Sequence, residues 1–345
     1  QRSSGSPAPP PGCCAAHWWR QPGVAHARAG GPPRALRPEM QCDRPRGVPP
    51  AVRASALGPA RFLASGCASI DKALGGGLRA GWLTEIAGEA GAGKTQLVMQ
   101  FAIRCAMPVS LGGMGAPAAI ICTEGSFPVR RMRTMAFAVW AALSAAQRSE
   151  CEACGVGRDT LWDCHLVRNA DSPESLVAAV AAAAACARAG RCAALLLDSI
   201  AGPFRVPDPD EGSGGAASKA APGSAGGGGG GRRWFAGRAK ALLGVSSVLR
   251  CVALERRLPV LVANQATAVL RPDDSTAAPD DVAPALGMAW AHAAHVRAML
   301  LRRRGSANPQ ARAVRVVFHP AAASSACVCV LGEAGLGEAV LGEAP

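Results

Sequence analysis

Gly88-Glu89-Ala90-Gly91-Ala92-Gly93-Lys94-Thr95 matches the phosphate-cradling pattern G-x-x-x-x-G-K-[ST] at every fixed position. The glycines let the backbone curl so that its N–H groups converge on phosphate oxygens. Lys94 brings a cation to the β and γ phosphates, and the Thr95 hydroxyl suits Mg²⁺. Thr84-Glu85-Ile86-Ala87 before the loop reads as a short strand. Gln96 to Met107 after it carries apolar residues at helical spacing (Leu97, Val98, Phe101, Ala102, Cys105), so a helix follows and turns its positive end towards the loop. The nucleotide-binding set is therefore Gly88, Glu89, Ala90, Gly91, Ala92, Gly93, Lys94, Thr95 and Gln96, with ATP and Mg²⁺ as cofactors.

Outward from the loop, strand-like and helical runs alternate. Ala118–Cys122 is an apolar run of strand length, Met132–Ala146 is helical, and His165–Arg168 is a short strand. Ser172-Pro173-Glu174 opens an Ala-rich helix that runs to about Arg188 and stops at Gly190. Ala193–Leu197 and Pro259–Asn264 are unbroken apolar runs, as in strands buried on both faces of a parallel sheet. Phe235–Arg256 is helical, and Val296–Leu301, Ala313–Phe318 and Ala326–Leu331 are three late strands without helices between them. The pattern predicts an α/β fold with a mostly parallel central sheet flanked by helices and an antiparallel extension at one edge. Residues 1–55, rich in Pro, Arg, Ala and Gly, carry no period and read as disordered or poorly ordered; residues 56–340 read as the core. Two stretches read as flexible loops: 206–232, with its Gly226–Gly231 run, and 266–284.

Two acids end buried runs. Asp198 closes Ala193–Leu197, where a carboxylate beside a phosphate loop holds Mg²⁺, usually through water; the competing reading is a helix cap. Glu124 follows Ala118–Cys122, where it suits activation of water for attack on the γ phosphate; position alone fits a surface loop acid equally well. Gln265, after Asn264, has the chemistry of a γ-phosphate sensor, although the position taken alone says little.

The 345 residues carry a formal charge of +13, which favours polyanion partners such as nucleic acid, against the plainer reading of any single cluster as solvated surface charge. Fourteen cysteines, many inside apolar runs, fit reduced buried thiols better than a disulfide framework. Cys151, Cys154, Cys164 and His165 offer a zinc reading, but the second pair lacks the usual spacing. Trp234, beside Arg232 and Arg233, is a candidate for stacking on bases, against the plainer role of local packing. No apolar run approaches the roughly 20 residues of a membrane span.

In order and content these pieces resemble the RecA-type recombinase superfamily, in its eukaryotic and archaeal branch. The likeness rests on Gly66-Cys67-Ala68-Ser69-Ile70-Asp71, Leu74-Gly75-Gly76-Gly77-Leu78 and Gly93-Lys94-Thr95-Gln96-Leu97. Within the branch it lies nearest the eukaryotic recombinase paralogues. That rests on Ile121-Cys122-Thr123-Glu124, the run Asp198 to Arg205, Asn264-Gln265-Ala266-Thr267 and the run Pro284 to Ala291. The resemblance spans about residues 60–335. It implies a RecA-like ATPase core with Glu124 as catalytic glutamate, Lys94 and Gln265 completing the catalytic set, and Thr95 and Asp198 on the metal. It implies a nuclear, DNA-dependent ATPase of homologous recombination, acting on double-strand breaks and branched DNA. Its partners would be single-stranded or branched DNA, another recombinase paralogue and the main strand-exchange recombinase, with no membrane. The two loops fall where the family's DNA-facing loops lie, and His319-Pro320 near its neighbour-capping segment. The rival reading is a scaffold subunit that holds ATP without needing to hydrolyse it. Residues 1–55 do not resemble the family's helical N-terminal domain, and Phe62-Leu63-Ala64 is a poor echo of its polymerisation element.

Overall fold

The computed structural model describes residues 59–204, 229–268, 282–303 and 306–339. The expectations for residues 1–55, for most of 206–232 and for 269–281 lie outside them. A two-stranded ribbon, β1 (Phe62–Leu63) with β2 (Leu78–Arg79), and helix α1 (Ala68–Ala73) precede the main sheet. The parallel strands are β3 (Leu83–Gly88), β4 (Ala118–Cys122), β5 (Leu166–Asn169), β6 (Ala194–Asp198) and β7 (Val260–Ala268). A short strand, β8 (Val282–Pro284), pairs with the end of β7. Strand β9 (Val296–Arg302) runs parallel to β3, and β10 (Ala311–Phe318), β11 (Ser325–Gly332) and β12 (Gly335–Glu338) continue antiparallel. The order across the sheet is β12-β11-β10-β9-β3-β7-β6-β4-β5.

The unbroken apolar runs are explained by burial on both faces. Ile120, Leu196 and Leu261 point into one core, against helix α2 (Lys94–Ala106). Their neighbours Ile121, Leu195, Leu197 and Val262 point into the other, against α6 (Pro173–Arg188) and α7 (Gly229–Arg256). A side-chain period of two with no polar face leaves no position for a polar residue until the strand emerges. On β4 and β6 the acids therefore come only at the tips, whereas β3 and β7 bury Glu85 and Asn264 within their length. Gln100 is the exception inside α2: its amide donates to the carbonyls of Ser65 and Leu336 and its oxygen accepts from the Leu336 N–H, so a buried polar group is fully partnered and the edge strand is tied to the central helix.

The structure corrects several boundaries. The helical stretch expected over Met132–Ala146 is two helices, α3 (Val129–Ala142) and α4 (Ala145–Ala153). Ser144 stops the first by capping the second, in a reciprocal capping box with Gln147. A one-turn helix, α5 (Thr160–Asp163), leads into β5. Helix α7 starts at Gly229, inside the stretch read as the loop 206–232. Backbone hydrogen bonding propagates outward from the packed turns, and apolar spacing marks only those turns. Likewise β7 runs on to Ala268 and pairs with β8 through Ala266↔Pro284 and Thr267↔Ala283, so the ends of the loop read at 266–284 form an antiparallel stem. The ladder satisfies backbone groups that a polar, Pro-containing sequence does not advertise. The last helix, α8 (Met288–Ala291), buries Trp290.

Candidate nucleotide site

Strand register brings the predicted residues to one end of the sheet. Gly88 lies opposite Gln265, Asp198 opposite Ala263 on one side and Cys122 on the other. The phosphate loop, Asp198, Glu124 and Gln265 thus share the carboxyl edge of β3, β7, β6 and β4, where open α/β sheets place their ligands.

The loop has the conformation its sequence demands. Gly91 and Gly93 have φ of 73° and 111°, a region that side chains disfavour. A Cβ on Gly88 would stand 2.3 Å from the Leu300 carbonyl oxygen, so the loop strand packs there only as glycine. Lys94 Nζ donates to the carbonyls of Gly88 and Glu89 at 2.8 and 2.9 Å, folded across the mouth of the loop. Buried Arg312, on β10, braces the loop from behind by donating from Nε to the Ala92 carbonyl at 2.9 Å.

The Thr95 hydroxyl stands beside the Asp198 carboxyl, setting the helix start next to the strand tip. Burial pushes the Asp198 carboxyl above the usual carboxylate range; the Thr95 hydroxyl and the Lys94 charge pull it back, and Glu124 pushes it further up. A carboxylate kept in a desolvated place beside a hydroxyl is a site that gains by holding a divalent cation. Glu124 Oε1 accepts from Ser199 Oγ at 2.7 Å and from Gln265 Nε2 at 2.6 Å, which brings together the two residues that sequence position alone left weakest. Thr123 fixes this corner. Its hydroxyl donates to the Ser199 carbonyl at 2.6 Å and accepts from the Ser199 N–H at 2.9 Å. A Cβ on Gly202 would fall 2.6 Å from the same hydroxyl, so the turn after β6 stays close only as glycine.

Behind Gln265 lies a buried charge pair that apolar periodicity does not reveal. Glu85, on β3 and wholly inaccessible, accepts from Arg297 Nε at 2.6 Å and from Asn264 Nδ2 at 2.7 Å. Asn264 also donates to the Ala285 carbonyl at 3.0 Å and accepts from the Gln265 N–H at 2.8 Å. Arg131 was missed as well: its Nε donates to Gln96 Oε1 at 2.8 Å, placing a guanidinium beside the start of α2. Arg131 sits in the first turn of α3, and nothing in its local sequence marks it out.

The geometry can now be set beside known proteins. A family model described as Rad51 matches residues 61–216. The chain is 31% identical over 280 residues to DNA repair protein XRCC3 of Bos taurus, an alignment covering 79% of this chain and 74% of that one. The chain belongs to the Rad51 family. To DNA repair protein RAD51 homolog 3 of Cricetulus griseus it is 28% identical over 243 residues, 68% of this chain and 58% of that one. To DNA repair protein rhp57 of Schizosaccharomyces pombe it is 41% identical over 76 residues, 22% of each chain. It is a RecA-type recombinase paralogue with its similarity to XRCC3 spread across most of its length. Within this Rad51-family core, the zinc reading of Cys151, Cys154, Cys164 and His165 finds no support. His165 is buried with both ring nitrogens engaged, Nδ1 accepting from the Ala118 N–H and Nε2 meeting the Leu161 carbonyl. His319, expected near a neighbour-facing segment, packs at the opposite end of the sheet against Trp82.

Proposed function

We propose that this Rad51-family chain binds ATP with Mg²⁺ and hydrolyses it in homologous recombination repair of double-strand breaks and branched DNA. The observation that carries the reading is the grip of Ser199 and Gln265 on Glu124 at neighbouring strand tips, beside the phosphate loop and Asp198. In this reading Lys94 and the loop amides of Gly88–Gln96 hold the phosphates, and Thr95 and Asp198 hold the metal. Bound Mg²⁺-ATP supplies a charge-neutralised terminal phosphoryl group open to attack. Glu124 orients a water and takes its proton. Gln265, on the same carboxylate oxygen, carries the state of the site into the β7–β8 stem and the DNA-facing segment that it closes. DNA as substrate, another recombinase paralogue and the main recombinase as partners, and the nucleus as location are proposed from the relatives, which are named DNA repair proteins. No helix among the described residues is long and apolar enough to cross a membrane.

One observation favours a second reading, an ATP-holding scaffold. Glu124 Oε1 is already engaged by two of the chain's own donors, which compete with an attacking water for that oxygen. Steady-state ATP turnover with single-stranded DNA and a companion paralogue separates the two. Positioned general bases contribute about 10²- to 10⁴-fold. Glu124→Gln is expected to cut turnover by roughly that factor while leaving ATP affinity near wild type, whereas Lys94→Ala lowers both. Background turnover in the wild type, with both variants still restoring repair in cells, would give the scaffold reading the field.

A further inference from the structure

The end of the sheet opposite the nucleotide site carries an unbalanced cationic strip. A cavity of about 180 Å³ opens there, where α6 and α7 finish and β4, β6 and β7 begin. Arg61, Arg256 and Arg257 line it, with no carboxylate in its wall. All three are exposed, and among the described residues none of them makes an ion pair or a side-chain hydrogen bond. The strip continues onto the neighbouring ribbon. The Ala80 N–H bonds to the Arg61 carbonyl and the Gly81 N–H to the Leu258 carbonyl, so β2 and Trp82 abut the cavity. The Arg79 guanidinium lies 4.1 Å from the centroid of the Trp82 ring, which His295 stacks against and His319 meets at a tilt. Trp82 is thus occupied in orienting Arg79. Arg250 lies near His295 and helps to hold that ring neutral, after burial.

The plain explanation, that cations gather at helix C-termini to offset the dipole, falls short in magnitude. Two helix ends carry roughly half a negative charge each, about one in all. Three arginines in the cavity and a fourth on Trp82 exceed that. The nearest acid on α7, Glu255, is already paired with Arg188 at 2.9 Å. Arg257 also sits at φ 48°, just past the last turn of α7, where the Leu258 N–H closes back on the Ala253 carbonyl. Glycine is the usual residue at that position. A charged side chain occupies that disfavoured backbone position and lines the same cavity as the other two.

We propose that this strip is a second binding site for the phosphodiester backbone of nucleic acid, distinct from the nucleotide end and from the segments that leave it. Guanidinium forks match phosphate oxygens, and several cations in a row without interleaved acids fit a repeating polyanion. Among the described residues no amide or hydroxyl side chain lines the cavity beside the arginines, so the expected contacts are to phosphates and binding there is largely indifferent to sequence.

The test uses the whole chain and a fluorescently labelled oligonucleotide, single-stranded and duplex, titrated by anisotropy over a range of salt. The variant is Arg61→Gln/Arg256→Gln/Arg257→Gly; glycine suits the left-handed position, so the backbone is not penalised. Each phosphate contact contributes about 0.7 to 0.9 to the slope of log affinity against log salt. The triple variant is expected to lose about 2 to 3 from that slope, with unchanged melting temperature and unchanged ATP affinity. A wild-type slope in the variant overturns the proposal. So does a variant that loses binding of labelled polyglutamate but not of oligonucleotide, which would assign the strip to an acidic protein. Lys94→Ala is expected to leave the slope as it is, so this site and the ATP reading fail separately.

Discussion

His165 illustrates how one residue can be misread from spacing and understood from its neighbours. Next to Cys164 it invites a metal; in the fold it is a buried, neutral ring. Because Nδ1 accepts from the Ala118 N–H, the proton is on Nε2, which donates to the Leu161 carbonyl. Burial pushes the ring down to about 4, with the Leu161 bond opposing the shift only in part. The folded value lies below the unfolded one of 6.5. Stability from this group is therefore complete above about pH 6.5 and is lost as the pH falls towards 4, by about 3 kcal/mol in all. Urea unfolding of wild type and His165→Gln across that range is expected to show a steeper loss in the wild type. Parallel curves would mean that the ring is not held neutral. The sites that were legible residue by residue were those whose chemistry depends on a local run: the loop Gly88–Thr95, and Asp198 at the end of its strand. Thr123, Ser199, Arg131 and Arg312 were not legible, because each matters through a partner far along the chain.

Among the elements, strands were read well and their neighbours less so. The apolar runs of β4, β6 and β7 announce themselves because both faces are buried. The break at Ser144 and the β7–β8 stem are set by capping and pairing, which leave little trace in hydrophobic spacing. The stem is fixed from below by the Glu85–Arg297 pair and Asn264, which tie β3, β7, β8 and β9 together. Removing one partner of such a buried pair leaves the other charge uncompensated. Arg297→Ala is expected to cost about 3 to 5 kcal/mol in denaturant unfolding, and the double change Glu85→Leu/Arg297→Met to recover most of that. If the double variant is no more stable than Arg297→Ala, the loss comes from packing around Arg297 and the pair is not what fixes the stem.

On the scale of the whole molecule, the parallel sheet separates two kinds of chemistry. Its carboxyl edge gathers the phosphate loop, two carboxylates and an amide; its other end gathers uncompensated arginines. The net charge of +13 pointed to polyanions, but only the fold says which residues share a surface. Everything proposed for the carboxyl edge depends on a triphosphate and its metal seating between Lys94, Thr95 and Asp198. Calorimetric titration of the full chain with ATP, with and without Mg²⁺, measures that directly, with the companion paralogue present in a parallel run. Saturable, Mg²⁺-strengthened binding is expected, with affinity lowered in Lys94→Ala and a stabilisation of about 2.7 kcal/mol at a ligand concentration 100 times Kd. A folded chain that takes up no ATP, alone or with its companion, would rule that seating out.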